Sequence, residues 1–296
     1  MGVLGTYKNN DYFVTLMDDG TKIRFNNSDS FNPEKPESMD LKITNKCNMG
    51  CNFCHEDSSP NGKHGDILNL PFVDTLLPYT EIAIGGGNPL THPDLVPFLE
   101  KLKERKLIAN ITFNQYHFMD NVDFIQELVD NKLVYGIGVS MMYASDKFVE
   151  CVSRFPNAVI HIINGIVSID DLKMLANHNL KILILGYKEF RRGRQMYSRQ
   201  STVIDNMKSA LYDALPTIID DEWFDVASFD NLAIKQLEPK RLMSEEQWDR
   251  FYLGDDGSFT MYVDAVERKF AKSSTSTERY DLLDDIKPMF DKVRGM

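Results

Sequence analysis

Residues 43–57 read ITNKCNMGCNFCHED and hold Cys47, Cys51 and Cys54, three of the four cysteines in the chain. They follow LKIT (41–44), a short apolar run suited to a buried strand, in a loop too short for the thiols to sit far apart. Three thiolates must converge on one object. Spacings of three residues and then two let a loop wrap a cube corner, so that three irons each take a thiolate while a fourth stays open to a small molecule. The competing reading is a zinc ion completed by His55 or His64, because three Cys and one His make a common tetrahedral set. Zinc sites more often pair C-x-x-C knuckles from separate segments.

Working outward from this loop, further short apolar runs occur at EIAIG (81–85), IANITF (108–113), YGIGVSM (135–141), AVIHII (158–163), KILILG (181–186) and NLAIKQL (231–237). Each reads as a buried strand. Helical spacing appears between them at DLVPFLEKLKERK (94–106), FIQELVDNK (124–132), IDDLKMLANH (169–178) and TVIDNMKSALYDAL (202–215). Alternating strands and helices imply an α/β fold with a mainly parallel sheet, a full or partial (β/α) TIM-type barrel with its chemistry at the C-terminal strand ends. Before it, YFVTLMDDGTKIRF predicts an N-terminal β-hairpin turning at Asp18-Asp19-Gly20, then a linker from Asn26 to Ser38. After it, GDDGSFTMYVDAVERKFAKSSTS predicts a second hairpin and DLLDDIKPMFDKV a closing helix. The expected division is 1–38 for the hairpin and linker, 39–240 for the barrel, and 241–296 for a C-terminal extension over the barrel mouth.

The chain of 296 residues has 43% hydrophobic and 26% charged residues, ordinary values for a soluble globular protein. A formal charge of -11 disfavours nucleic acid as a partner, since no broad basic surface is available for a phosphate backbone. No apolar run has the length of a membrane span, and the N-terminal residues lack a secretion pattern, so the expected location is the cytoplasm, with no membrane partner. Clustered cysteines in that reducing compartment fit metal binding rather than disulfides. Cys151, in KFVECVSRF, occupies an apolar helical position and reads as a small buried hydrophobe. His92, His117, His161 and His178 show no mutual ligand spacing and read as structural or exposed.

The pattern C-x-x-x-C-x-x-C after a first barrel strand, with Phe53 before the last Cys, resembles the signature of the radical S-adenosylmethionine (radical SAM) superfamily. The resemblance implies a four-iron, four-sulfur (4Fe-4S) cluster and S-adenosyl-L-methionine as cofactors. It implies reductive cleavage of S-adenosylmethionine to a 5'-deoxyadenosyl radical that abstracts hydrogen from a substrate. Residues 81–95, EIAIGGGNPLTHPDL, look like the family's glycine-rich G-G-E-P element, with Gly85, Gly86 and Gly87 approaching the cofactor and Asn88 in place of the usual Glu. An amide oxygen there still accepts a hydrogen bond from an ammonium but gives up the charge attraction.

Other positions match by their order along the chain. Asn114 is either a strand-end turn residue or a cofactor contact, and Ser140 is similar to family serines that contact the ribose. Ile166 and Val167 match positions that pack on adenine, or are plain core. Lys188, Arg191, Arg192 and Arg194 form the densest basic run, read either as a solvated loop or as cations for a carboxylate or an anionic substrate. The tail resembles a SPASM-like extension that has lost its cluster cysteines, with Ser273, Ser274 and Ser276 near the former ligand positions. Asp230 and Asn231 are placed to orient substrate beneath it. The expected substrate is a peptide or protein, the alternative a small molecule or nucleotide; the non-enzymatic alternative is a zinc-stabilised binding protein. Nothing in the chain resembles a flavin or nicotinamide fingerprint, so the expected partner is an external electron donor such as flavodoxin or ferredoxin.

Overall fold

The computed structural model describes residues 2–28 and 30–295. The first three strands, β1 (Val3–Asn9), β2 (Tyr12–Met17) and β3 (Lys22–Phe25), make a small antiparallel sheet. The sequence reading captured the β2–β3 hairpin and missed β1, whose GTY segment lacks a clear alternation. Glu37, fully buried, fastens this sheet to the rest: it accepts from the Tyr12 hydroxyl at 2.6 Å and from the Arg24 fork at 2.8 and 2.9 Å.

The main sheet begins with β4 (Ser38–Thr44) and β5 (Glu81–Gly86), followed by α1 (Leu95–Glu104), β6 (Ile108–Asn114), α2 (Gln115–Asp120) and α3 (Val122–Asp130). It continues with β7 (Gly136–Ser140), α4 (Asp146–Ser153), β8 (Ala158–Ile163), α5 (Ile169–Leu175), β9 (Lys181–Leu185), α6 (Arg192–Asp220), β10 (Val226–Phe229) and α7 (Asn231–Leu237). The remaining elements are α8 (Glu245–Phe251), β11 (Thr260–Asp264), β12 (Lys269–Ala271), β13 (Tyr280–Asp281) and α9 (Ile286–Arg294). Strands β4 to β10 lie side by side in chain order and run parallel, the arrangement of a partial (β/α) barrel. On the other side of β4, β11 adds in parallel and β12 and β13 follow antiparallel.

Period-two alternation divides each strand between two environments. Met39 and Ile43, Ile82 and Ile84, Ile160 and Ile162 are buried in the core. Their neighbours Asp40 and Lys42, Gly85, and His161 line an interior cavity. Met261, Val263, Phe270, Met289 and Phe290 of the C-terminal segment belong to the same core cluster as the barrel strands.

One predicted strand is corrected. NLAIKQL (231–237) is α7: Asp230 caps it by accepting from the Ala233 N–H at 2.7 Å, and Ala233 and Leu237, one turn apart, are buried. Its place in the sheet is taken by β10, paired parallel with β9. Helix α6 starts at Arg192 rather than near Thr202 and kinks at Gln200, so the basic run is split between a loop, with Lys188 and Arg191, and a first helical turn, with Arg192 and Arg194. Cys151 lies on α4, half-buried against the core. No helix among the described residues is long and apolar enough to cross a membrane.

Candidate active site

Cys47, Cys51 and Cys54 line the mouth of one cavity of about 640 Å³, at the C-terminal ends of the parallel strands. Their loop is pinned along its length. The Cys47 N–H donates to Ser59 O at 2.9 Å and the Cys54 N–H to Cys51 O at 3.2 Å. Asn48 Oδ1 meets His117 Nε2 of α2 at 2.8 Å, and Arg191 Nη1 donates to Glu56 O at 2.7 Å. Burial raises the Cys47 thiol, and burial with the neighbouring Cys54 and Cys47 sulfurs pushes Cys51 up to about 11.

The donor set fits a cube-shaped cluster. Three thiols face one cavity, while Cys151 lies on α4 and does not line it. Among the described residues no three His, Cys, Asp or Glu side chains are grouped to hold a single metal ion, whereas a cluster asks for wider spacing because each thiolate takes a different iron. His64, offered above as a zinc ligand, is engaged elsewhere, with Nδ1 2.9 Å from Thr44 Oγ1 and its ring against His92. His55 does line the cavity; burial first, then Lys188 and other cations, holds its imidazole well below the usual range.

The three glycines after β5 divide into two roles. Gly86, at φ +111°, and Gly87 press on the backbone leading to Cys47: an added Cβ would strike Thr44 O or Lys46 O. That approach is fixed by hydrogen bonds from Gly87 N–H to Thr44 O and from Asn88 N–H to Lys46 O, each 2.7 Å. Only Gly85 faces open space, with nothing within 4 Å of a Cβ. Asn88 is buried and its side chain is spent locally, accepting from the Leu90 N–H at 3.2 Å.

Of the other residues singled out from sequence, Phe53, Asn114, Ser140, Lys188 and Asp230 line the cavity. Asn114 also caps α2, accepting from the Tyr116 N–H at 3.0 Å. Lys188 Nζ donates to Ser274 Oγ at 3.1 Å and stands 3.4 Å from His55 Nε2. Asn88, Ile166, Val167 and Arg194 lie outside the lining. Val167 is buried in the core, and Arg194 is exposed, reaching Glu189 O at 3.4 Å. Asn231 turns to Asp256, at 2.7 Å.

Two features differ from what the sequence led one to expect: Asp40 drew no attention there, and His161, which reads as structural or exposed, lines the cavity. Asp40 and His161 face the lumen, and enclosure among protein atoms raises Asp40 to about 6 and lowers His161 to about 4. A buried ionic network also backs the cysteine loop: Lys42 Nζ is 2.9 Å from both Glu56 Oε2 and Asp264 Oδ2, and the Tyr262 hydroxyl donates to Glu56 Oε1 at 3.1 Å. Arg279 Nη1 is 3.5 Å from Asp264 Oδ2. The available signal was a charged residue alternating with apolar ones, as in SMDLKIT and AVIHII.

Comparison with known proteins agrees with this geometry. Residues 41–173 match the family model of the Radical SAM superfamily. Those residues carry a Radical SAM domain. The cofactors of that superfamily are a 4Fe-4S cluster and S-adenosylmethionine. Curated relatives of this chain include a probable GTP 3',8-cyclase of Methanothermobacter marburgensis, 33% identical over 95 residues that cover 31% of this chain and 29% of the relative. Another, of Methanocaldococcus jannaschii, is 25% identical over 142 residues, 46% of each chain. The first of these alignments spans under a third of the relative's length and the second under half. In fold, the chain is similar to Streptococcus suis SuiB bound to S-adenosylmethionine, with 12% identity and a TM-score of 0.56 over 89% of this chain and 66% of that one. SuiB bound to its precursor peptide SuiA gives 13% and 0.55, over 90% and 68%.

Proposed function

We propose that this protein is an enzyme in which Cys47, Cys51 and Cys54 each hold one iron of the cluster, leaving the fourth for S-adenosylmethionine. The observation that carries this reading is the opening of all three thiols onto the cavity that Gly85 leaves unfilled. When bound, the cluster and S-adenosylmethionine supply a 5'-deoxyadenosyl radical that removes hydrogen from substrate. The chain's own residues orient and enclose. Gly85 gives room for the cofactor to approach the β5 backbone, and Asn114 and Ser140 offer polar contacts at neighbouring strand ends. Lys188 offers a cation to a carboxylate. Phe53, on the cysteine loop, lines the cavity beside the thiols.

The division into 1–38, 39–240 and 241–296 is retained as a functional proposal, with the last segment covering the mouth. Tyr262 and Ser274 of that segment line the cavity, and a radical reaction benefits from exclusion of water. The substrate is a peptide or protein side chain entering the mouth, a reading supported by likeness in fold to SuiB, which has been solved with a precursor peptide. A nucleotide is the second reading, supported by curated relatives named as probable GTP 3',8-cyclases. Electrons come from an external flavodoxin or ferredoxin.

The test is anaerobic reconstitution followed by incubation with S-adenosylmethionine and a reductant. The expected result is about four irons per chain and formation of 5'-deoxyadenosine. Both should be lost when Cys47, Cys51 or Cys54 is replaced by Ala and kept in Cys151→Ser. Zinc in place of iron, bound with equal strength by the Cys54→Ala variant, would overturn the proposal.

A further inference from the structure

Helix α6 begins against the cysteine loop. Arg191, just before it, holds φ 49° and ψ −122°, a conformation that glycine favours, and so turns the chain into the first helical turn. Gly193 permits the close approach: an added Cβ would strike Lys188 O and lie 3.5 Å from Phe53 O. The Arg191 side chain is spent as a clasp, through its 2.7 Å hydrogen bond to Glu56 O.

Arg192 enters the same contact. Its Nη2 donates to Ser58 O, one residue before the Ser59 carbonyl that accepts from the Cys47 N–H. With Asn52, the neighbour of Cys51, it lines a small cavity of about 130 Å³. Its side chain is 22% exposed, and its Nε, shut off from solvent, lies 3.0 Å from Asp57 Oδ1 without the geometry of a hydrogen bond. Asp57 is 61% exposed, so solvent screens its charge the more of the two. Burial raises the thiols of Cys47 and Cys51, and Arg192 is the cation that favours the thiolate at both. Other cations nearby are placed differently. Lys42, Lys188, Arg191 and Arg279 bear on His55, while Lys46, Lys63, Arg194 and Arg199 are exposed to screening by solvent.

We propose that Arg192 is a positioning residue for electron entry: its fixed, mostly buried charge, set beside the loop of Cys47 and Cys51, favours the reduced state of the cluster that the thiolates hold. This rests on the cluster assignment above. Reduction takes one electron from the external flavodoxin or ferredoxin, which is thereby oxidised, and adds one negative charge to a group already bound by three thiolates. Net charge, hydrogen bonding and exposure set the potential of such a group. A cation in a partly buried setting attracts the added charge more strongly than one in water. A purely structural role for Arg192 would need only a donor to Ser58 O, which an uncharged amide can supply.

The experiment is a potentiometric titration of the anaerobically reconstituted full chain, with the reduced cluster read by electron paramagnetic resonance. Arg192→Gln keeps a donor for Ser58 O and removes the charge, whereas Arg192→Lys keeps the charge. At the potential where the parent is half reduced, the reduced-to-oxidised ratio should fall at least about threefold in Arg192→Gln and stay within about twofold in Arg192→Lys. Asp57→Asn, which leaves the guanidinium unopposed, should raise that ratio, and it decides the matter if Arg192→Gln takes up less iron than the parent. An equal fall in the Gln and Lys variants makes Arg192 structural and overturns the proposal, as does an unchanged ratio in Arg192→Gln or in Asp57→Asn. A parent chain that takes up no iron removes the cluster assignment and the proposal with it. A loaded parent whose potential ignores these substitutions removes the proposal alone.

Discussion

Gly85, Gly86 and Gly87 are adjacent in sequence, yet an alanine would meet different surroundings at each. At Gly87 the new methyl runs into the Lys46 carbonyl, a backbone atom with little freedom to yield, so Gly87→Ala should lower the unfolding temperature of the cluster-free protein. Gly85→Ala should leave that temperature unchanged within a degree or so and weaken S-adenosylmethionine binding, because its methyl projects into open cavity. Thermal unfolding and equilibrium binding on the two variants separate these roles. Asp40 makes a prediction of the opposite kind. Enclosure, with Asp256, Glu56 and Asp230 nearby and only Lys188 opposing, raises its carboxyl to about 6. A raised carboxyl contributes stability that is fully present below its unfolded value near about 4 and is lost as pH rises through the folded value. Asp40→Asn should therefore gain in unfolding temperature relative to the parent between about pH 4 and pH 7, with the difference flat above; a constant difference would contradict this environment. The cysteines were legible in sequence because their relation is local. Asp40 was not, because its place on the cavity appears only when β5 and β11, from distant parts of the chain, flank β4.

Among the elements, the six strands from LKIT to KILILG were legible because each is a short apolar run, and those after LKIT are set among segments of helical spacing. NLAIKQL misled because seven residues with Leu232, Ala233, Ile234 and Leu237 satisfy either reading, and the deciding group is the cap at Asp230. The position of β11 was not legible at all, since strand pairing between residues 38–42 and 260–264 leaves no mark on local composition. It has energetic consequences. Lys42→Met leaves Glu56 and Asp264 without their shared cation in a buried setting, and removing one partner of such a set costs about 3–5 kcal/mol. Urea unfolding of the cluster-free protein should show that loss. A shortened chain ending at Arg250 should fail to fold cooperatively, because it strips β11 from β4 and removes Met261, Val263, Met289 and Phe290 from the core. Circular dichroism with a sharp native-like melt for that truncation would show that the C-terminal segment is separable.

For the whole molecule, the parallel barrel gathers loops from successive strand ends around one mouth, and the cysteine loop sits there with the β11 network behind it. With three cysteines facing the cavity and Cys151 on α4, the chain has thiols for one cluster. The most direct measurement is electron paramagnetic resonance of the anaerobically reconstituted, reduced protein before and after S-adenosylmethionine is added. A 4Fe-4S signal from about four irons per chain is expected, with a shape that changes on addition because the ligand occupies the open iron. An unchanged spectrum at saturating S-adenosylmethionine, or about eight irons per chain, would contradict it.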